Sequence, residues 1–170
     1  MLMAFWEVQR LTREIHDLER RAIETRTKLS YYQRYSDSLG RSSIMTASHV
    51  AGLSPELLPR AMMFAQYSNQ ASSMSAMQNL QMAKMSGLVP MLNNPMQQMM
   101  FETSAFNRFK EESLKALKQQ EVDYMNEIEK EIQLEMNTID TRIKEKRAML
   151  ESAKQLLSEE VKDSAPKFGL

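Results

Sequence analysis

The chain has 170 residues, enough for one domain with a sizeable core, and no cysteine, which excludes a disulfide framework, a thiolate metal site and a cysteine nucleophile. Its 22 basic and 22 acidic residues cancel to a formal net charge of zero, so no bulk attraction draws it to nucleic acid or anionic lipid. The partition says more than the sum: residues 1–41 carry eight basic and six acidic side chains, residues 101–170 carry twelve and fifteen, and only Glu56, Arg60 and Lys84 are charged between 42 and 100.

The first ten residues, MLMAFWEVQR, start apolar but lack a basic region and an apolar run of signal-peptide length, so they read as a helix end and the chain as cytoplasmic. Val8, Leu11, Ile15, Leu18, Ala22, Thr25, Leu29 and Tyr32 then recur in alternating steps of three and four, the spacing of a heptad seam. Glu7, Glu14, Arg21 and Lys28 border it on one side, Glu19 and Arg26 on the other. The pattern predicts a helix over residues 4–39, closed by Gly40 as a left-handed cap.

Residues 40–58 mix Ser, Gly and Pro with short apolar groups and read as a connector with room for a helical turn. A second helix is expected over residues 59–86, with Pro59 at its start and Phe64, Tyr67, Ala71, Met74, Met77 and Met85 near one stripe. Ten of the 23 residues from Ala61 to Ala83 are Ser, Asn or Gln, too polar for a monomer to span a bilayer there, which leaves membrane contact open but not a spanning segment. Gly87 and Pro90 place a turn at 87–94.

Asn94 followed by Pro95 is a start signal with a clear cause: the asparagine side chain satisfies an orphan amide, and proline has no amide to satisfy. With no further Gly or Pro before Pro166, one helix is expected over residues 95–163, roughly 100 Å long at 1.5 Å per residue. Its stripe, Ile128, Ile132, Met136, Ile139, Ile143, Leu150, Leu157 and Val161, averages 3.67 residues per turn, nearer an eleven-residue than a seven-residue repeat. Residues 164–170 are expected to be a disordered tail in which Phe168 and Leu170 carry no strong docking signal.

At the same rise the first two helices would measure about 54 and 42 Å, together close to the length of the last. The expected fold is therefore all-α: an elongated, antiparallel, coiled-coil-like helical hairpin with a broken first arm and one very long C-terminal helix. The alternative is a three-helix bundle with the middle helix folded back.

Catalytic and metal constellations are hard to build from this chain. His16 and His49 are its only histidines, and neither belongs to a pattern that sets two ligands on one helix face. The four glycines are dispersed, so no phosphate-cradling loop forms from them. Glu127 and Glu131 share a helix face without an apolar pocket to perturb them. Arg10, Arg13, Arg20 and Arg34 line the outer side of the first helix, but Asp17 and Glu24 interrupt that face, so no nucleic-acid contact is expected. The expectation is a non-enzymatic chain without cofactor or metal.

Eleven of the sixteen methionines lie between residues 45 and 100. Core filling explains them simply, because thioether side chains adapt to irregular gaps, but it does not explain the missing charge. The alternative is a plastic docking surface contributed by Met74, Met77, Met82, Met85, Met91, Met96, Met99, Met100, Phe101, Phe106 and Phe109, for a protein partner or a second copy of the chain. The functional expectation is a scaffold or adaptor with a charged stalk and a methionine-rich interaction end. In outline the chain also resembles helical-hairpin stalk proteins of export machines, which implies as the alternative a component of a secretion, flagellar or phage assembly whose middle segment self-assembles or contacts membrane.

Overall fold

A computed structural model describes residues 2–41 and 53–164, and these are helical apart from short turns. Three helices pack together: α1 (Leu2–Arg41), α2 (Leu57–Met85) and α3 (Pro95–Ser164). His49, most of the connector and the tail from residue 165 onward lie outside the described residues.

Helix ends follow from local chemistry. Asn94 Oδ1 accepts from the Met96 amide at 3.0 Å, and Gln98 N donates to the Asn94 carbonyl at 3.0 Å, so α3 starts on the asparagine cap with Pro95 at its first position. α2 starts two residues before the proline expected to open it: Leu57 and Leu58 donate to the Ser54 carbonyl, and Pro59 sits in the first turn, where a missing N–H costs nothing. At the other end of α2, Leu88 N reaches the Ala83 carbonyl and Gly87 N the Lys84 carbonyl, a Schellman closure that needs the left-handed φ of +72° at Gly87. The sequence pattern assigned a left-handed cap to Gly40 and only a turn to Gly87. Instead Gly40 continues α1 in helical conformation, and Gly87 alone among the described residues has positive φ.

The chain divides into two compact units, Met1–Ser30 with Lys130–Leu170, and Tyr31–Glu129. In the first unit α1 and α3 run antiparallel. Lys146 meets Glu14 at 2.6 Å and Arg147 meets Glu19 at 2.7 Å, whereas Arg26, further along α1, approaches Asp140, earlier in α3, at 3.5 Å. Leu11, Ile15, Ala22, Thr25, Ile132, Ile139, Ile143 and Ala153 are buried, and Val8, Leu18, Leu29, Met136, Leu150 and Leu157 are half-buried. Ala22, Ile139 and Ile143 form a core cluster against which Leu18 packs.

Val161, assigned to this seam from the sequence, is exposed. Ile128 packs instead against the Tyr35–Met125 cluster; with half-buried Lys146 and buried Ala153 added, the remaining positions are 132, 136, 139, 143, 146, 150, 153 and 157, alternate steps of four and three. The eleven-residue period was therefore an artefact of counting apolar residues alone. Lys146 occupies a seam position with its stem and sends its ammonium to Glu14.

In the second unit Tyr35, Leu39, Leu57, Ala61 and Met125 are buried together, with Tyr31, Tyr32, Leu53, Phe64, Val122 and Ile128 packed around them. Burying Leu39, Leu57 and Met125 stabilises the unit by about 1.5–3 kcal/mol each. α2 lies antiparallel along the first part of α3, as Arg60–Glu121, Ser75–Ser113 and Lys84–Glu102 show in succession.

Candidate interaction surface

The buried residues of α2 are Leu57, Ala61, Ser68, Ser72 and Ala76. Apart from Leu57 these are small, and Ser75, on the same side, accepts from the Ser113 hydroxyl at 3.0 Å. Buried serines are affordable because their hydroxyls bond back into the helix, Ser68 to the Ala65 carbonyl and Ser72 to the Asn69 carbonyl. The sequence stripe divides: Tyr67, Met74, Met77 and Met85 are exposed, Phe64 and Ala71 are half-buried, and small residues take the inner face. Size-blind hydrophobic counting chose the large residues, whereas helix contact here uses side chains that permit close approach.

Every methionine from Met62 to Met100 points outward, each at least 59% exposed. Met74, Met77, Met82, Met85, Met91, Met96, Met99 and Met100 are all in that set, with Met62 and Met63, which the sequence reading omitted. Core filling is therefore not what these ten side chains do within the chain. Phe101 is exposed, while Phe106 and Phe109 are half-buried and belong more to helix packing than to the surface. The outward direction could have been found from the spacing: a residue two positions from a buried one lies about 200° around the helix. Met63 stands so to Ala61, and Met74 to both Ser72 and Ala76.

The two cations of α2 do not dilute this surface, because both reach for α3. Arg60 makes a bidentate pair with Glu121, Nε to Oε1 at 2.7 Å and a terminal nitrogen to Oε2 at 2.9 Å. Its guanidinium also lies 4.4 Å from the centre of the Tyr124 ring. Tyr35, fully buried, donates its hydroxyl to Glu121 Oε1 at 3.1 Å. Burial, and then the neighbouring carboxylate, push the tyrosine hydroxyl well above its ordinary range.

At the other end Lys84 donates to Glu102 at 2.6 Å, and that hydrogen bond, with a second from Gln98, holds the carboxyl below its ordinary value. Gln98 also accepts the Leu92 amide at 2.9 Å, tying the turn to α3. A lone arginine and a lone lysine in a charge-poor stretch were the available sequence signals for these clamps.

Elsewhere, Arg10, Arg13, Arg20 and Arg34 are exposed on α1, where Arg10 pairs with Glu7 and Arg20 approaches Asp17 at 3.6 Å. His16 is solvent-exposed, 3.4 Å from Glu19. Glu127 and Glu131 are exposed. Among the described residues no group of three or more His, Asp or Glu side chains is placed to hold a metal ion, and no helix is long and apolar enough to cross a membrane.

Comparison of the chain with protein-family models, curated proteins and solved structures finds no match in any of the three.

Proposed function

We propose that the chain is a non-enzymatic helical adaptor or scaffold that binds protein through the outward methionine face of α2 and the start of α3. The observation that carries this reading is the direction of the ten methionines from Met62 to Met100. At about 200 Å² for a fully exposed large side chain, they leave roughly 1,400 Å² open, and even half of that matches or exceeds the largest apolar patch of a typical monomer. Such a surface is costly to keep in water unless something covers it. Flexible thioethers can repack against different apolar partners, and the uncharged Ser, Asn and Gln between them impose no desolvation of ions on docking.

The charged helical pair in the first unit supplies the other half of the reading. Glu14–Lys146 and Glu19–Arg147 flank a narrow buried seam, so the charges of this unit are used in its own helix pairing. The test is capture of partners by the tagged full chain and by a variant carrying Met74→Glu, Met77→Glu, Met96→Glu and Met99→Glu, with helix content checked by circular dichroism. Loss of the captured proteins at unchanged helix content supports the reading; an unchanged set of partners refutes it. Flotation with liposomes separates the alternative, a membrane-contacting part of an export or phage assembly, since an adaptor remains at the bottom of the gradient.

A further inference from the structure

The exposed side of α2 has an order of its own. Met63, Tyr67, Gln70, Met74, Met77 and Gln81 follow one another in steps of four, three, four, three and four, so the helix carries a second heptad-spaced seam opposite its buried one. The four large members each keep at least 59% of their surface open. A seam of this spacing fits another helix laid alongside it.

We propose that the occupant is the α2 helix of a second copy of this chain. The inference rests on the reading that the methionine face is an interaction surface, and it names what covers it.

Charge argues for the occupant. A two-fold interface sets one surface against itself, so a face of either net sign repels its own copy. Here Arg60 and Lys84 are both spent on α3 carboxylates, and Gln66, Ser73 and Gln78 beside the seam are neutral. Two such faces meet without repulsion, and they offer nothing by which a charged partner helix would be preferred.

Area argues the same way. Met63, Tyr67, Met74 and Met77 hold about 500 Å² open, at about 200 Å² per full side chain. The glutamines within and beside the seam bring a paired helix toward the roughly 800 Å² per partner of a standard interface. Gln70 and Gln81 can hydrogen-bond across the contact, the device by which a polar seam residue sets register.

The purified full chain, followed by light scattering as concentration rises, should reach twice the mass of a single chain. Met74→Glu with Met77→Glu should return it to the single mass with helix content unchanged. The absence of native cysteine allows a second readout. Met74→Cys under mild oxidation should give a disulfide-linked dimer at least tenfold faster than Gln133→Cys, an exposed position on α3 away from the seam.

A single-chain mass at every concentration overturns the proposal. So does a dimer that persists in the folded double variant, or cross-linking at 74 no faster than at 133. Should the chain be monomeric while the methionine variants still lose captured proteins, the self-pairing is wrong and the adaptor reading stands; should those variants lose nothing, the adaptor reading itself fails.

Discussion

Removal of Glu121 should be felt well beyond its own ion pair, and its cost should depend on a tyrosine hydroxyl. The carboxylate accepts two N–H donors from Arg60 and the hydroxyl of fully buried Tyr35. Glu121→Ala orphans that hydroxyl, at about 1–3 kcal/mol for an unsatisfied buried donor. It also breaks an ion pair whose side chains are 39% and 12% exposed, which, discounted for solvent screening, contributes about 1 kcal/mol. The expected loss is therefore about 2–4 kcal/mol. In a Tyr35→Phe background no hydroxyl is left to orphan, and the same substitution should cost only about 1 kcal/mol. Urea unfolding followed by circular dichroism at neutral pH reads both values from shifts of midpoint at constant slope. Equal costs in the two backgrounds, or a loss below about 0.5 kcal/mol in the first, would refute the claim that Glu121 organises this cluster.

The helix-packing face of α2 yields a second expectation: Ala76→Leu, at a fully buried position, overpacks the contact with α3 and should cost about 1–3 kcal/mol by the same assay. Gly87→Ala should cost about 1–2 kcal/mol although nothing lies within 4 Å of the added methyl, because the penalty is the left-handed backbone; Gly40→Ala, helical and equally unobstructed, should be neutral or stabilising. Acidification should destabilise the chain. Glu14, Glu19 and Glu102 are held below the ordinary 4.5, chiefly by hydrogen bonds from Lys146, Arg147 and Lys84 respectively, so their contribution is complete above 4.5 and disappears as pH falls through the lower folded values. Replacing all three by Gln should flatten the urea midpoint below pH 4.5, and an unchanged pH profile would contradict the assignment. Glu129 has the opposite sign: burial, then Asp37, raise its value, so Glu129→Gln should raise the midpoint at neutral pH.

Where the sequence was legible, a local rule had a single outcome. Asn94–Pro95 allows one helix start and made it, and the steps of three and four from Leu11 to Leu29 are met by buried and half-buried positions of α1. Misreadings arose where polarity was taken as a proxy for position. Lys146 and Ala153 were passed over in the α3 seam because one is charged and the other small, yet a lysine stem covers apolar surface and an alanine fits where helices come close. On α2 the same proxy left Met74, Met77 and Met85 open between core and docking surface and gave the serines no place in the core. Buried Ser68 and Ser72 look solvent-facing in the sequence, and their backbone hydrogen bonds, which remove the cost of burial, are a feature of the folded helix that no pattern of letters displays. The Tyr35–Glu121–Arg60 cluster joins residues as much as 86 positions apart, beyond any local signal.

That α2 holds its methionines outward has a physical cause in the contacts at its ends. A helix free to rotate about its axis would turn Met63, Met74 and Met77 toward α3 and its serines toward water, gaining about 1.5–3 kcal/mol for each large side chain buried. Three contacts oppose that rotation. Arg60–Glu121 and Lys84–Glu102 lie near the two ends of the helix, on opposite flanks of its buried stripe, and Leu57 is locked into the cluster with Tyr35 and Met125. Rotating by half a turn would break both ion pairs, remove Leu57 from its site and press the methionines into a gap sized for Ala and Ser, which overpacking forbids. The outward methionines are thus held there by the ends of the helix, while their own positions contribute little to folding. Met74→Gln and Met77→Gln should accordingly change the urea midpoint of the monomer by no more than about 0.5 kcal/mol while weakening association. Destabilisation of the isolated monomer by 2 kcal/mol or more would place these side chains inside the fold and remove the basis for a binding face.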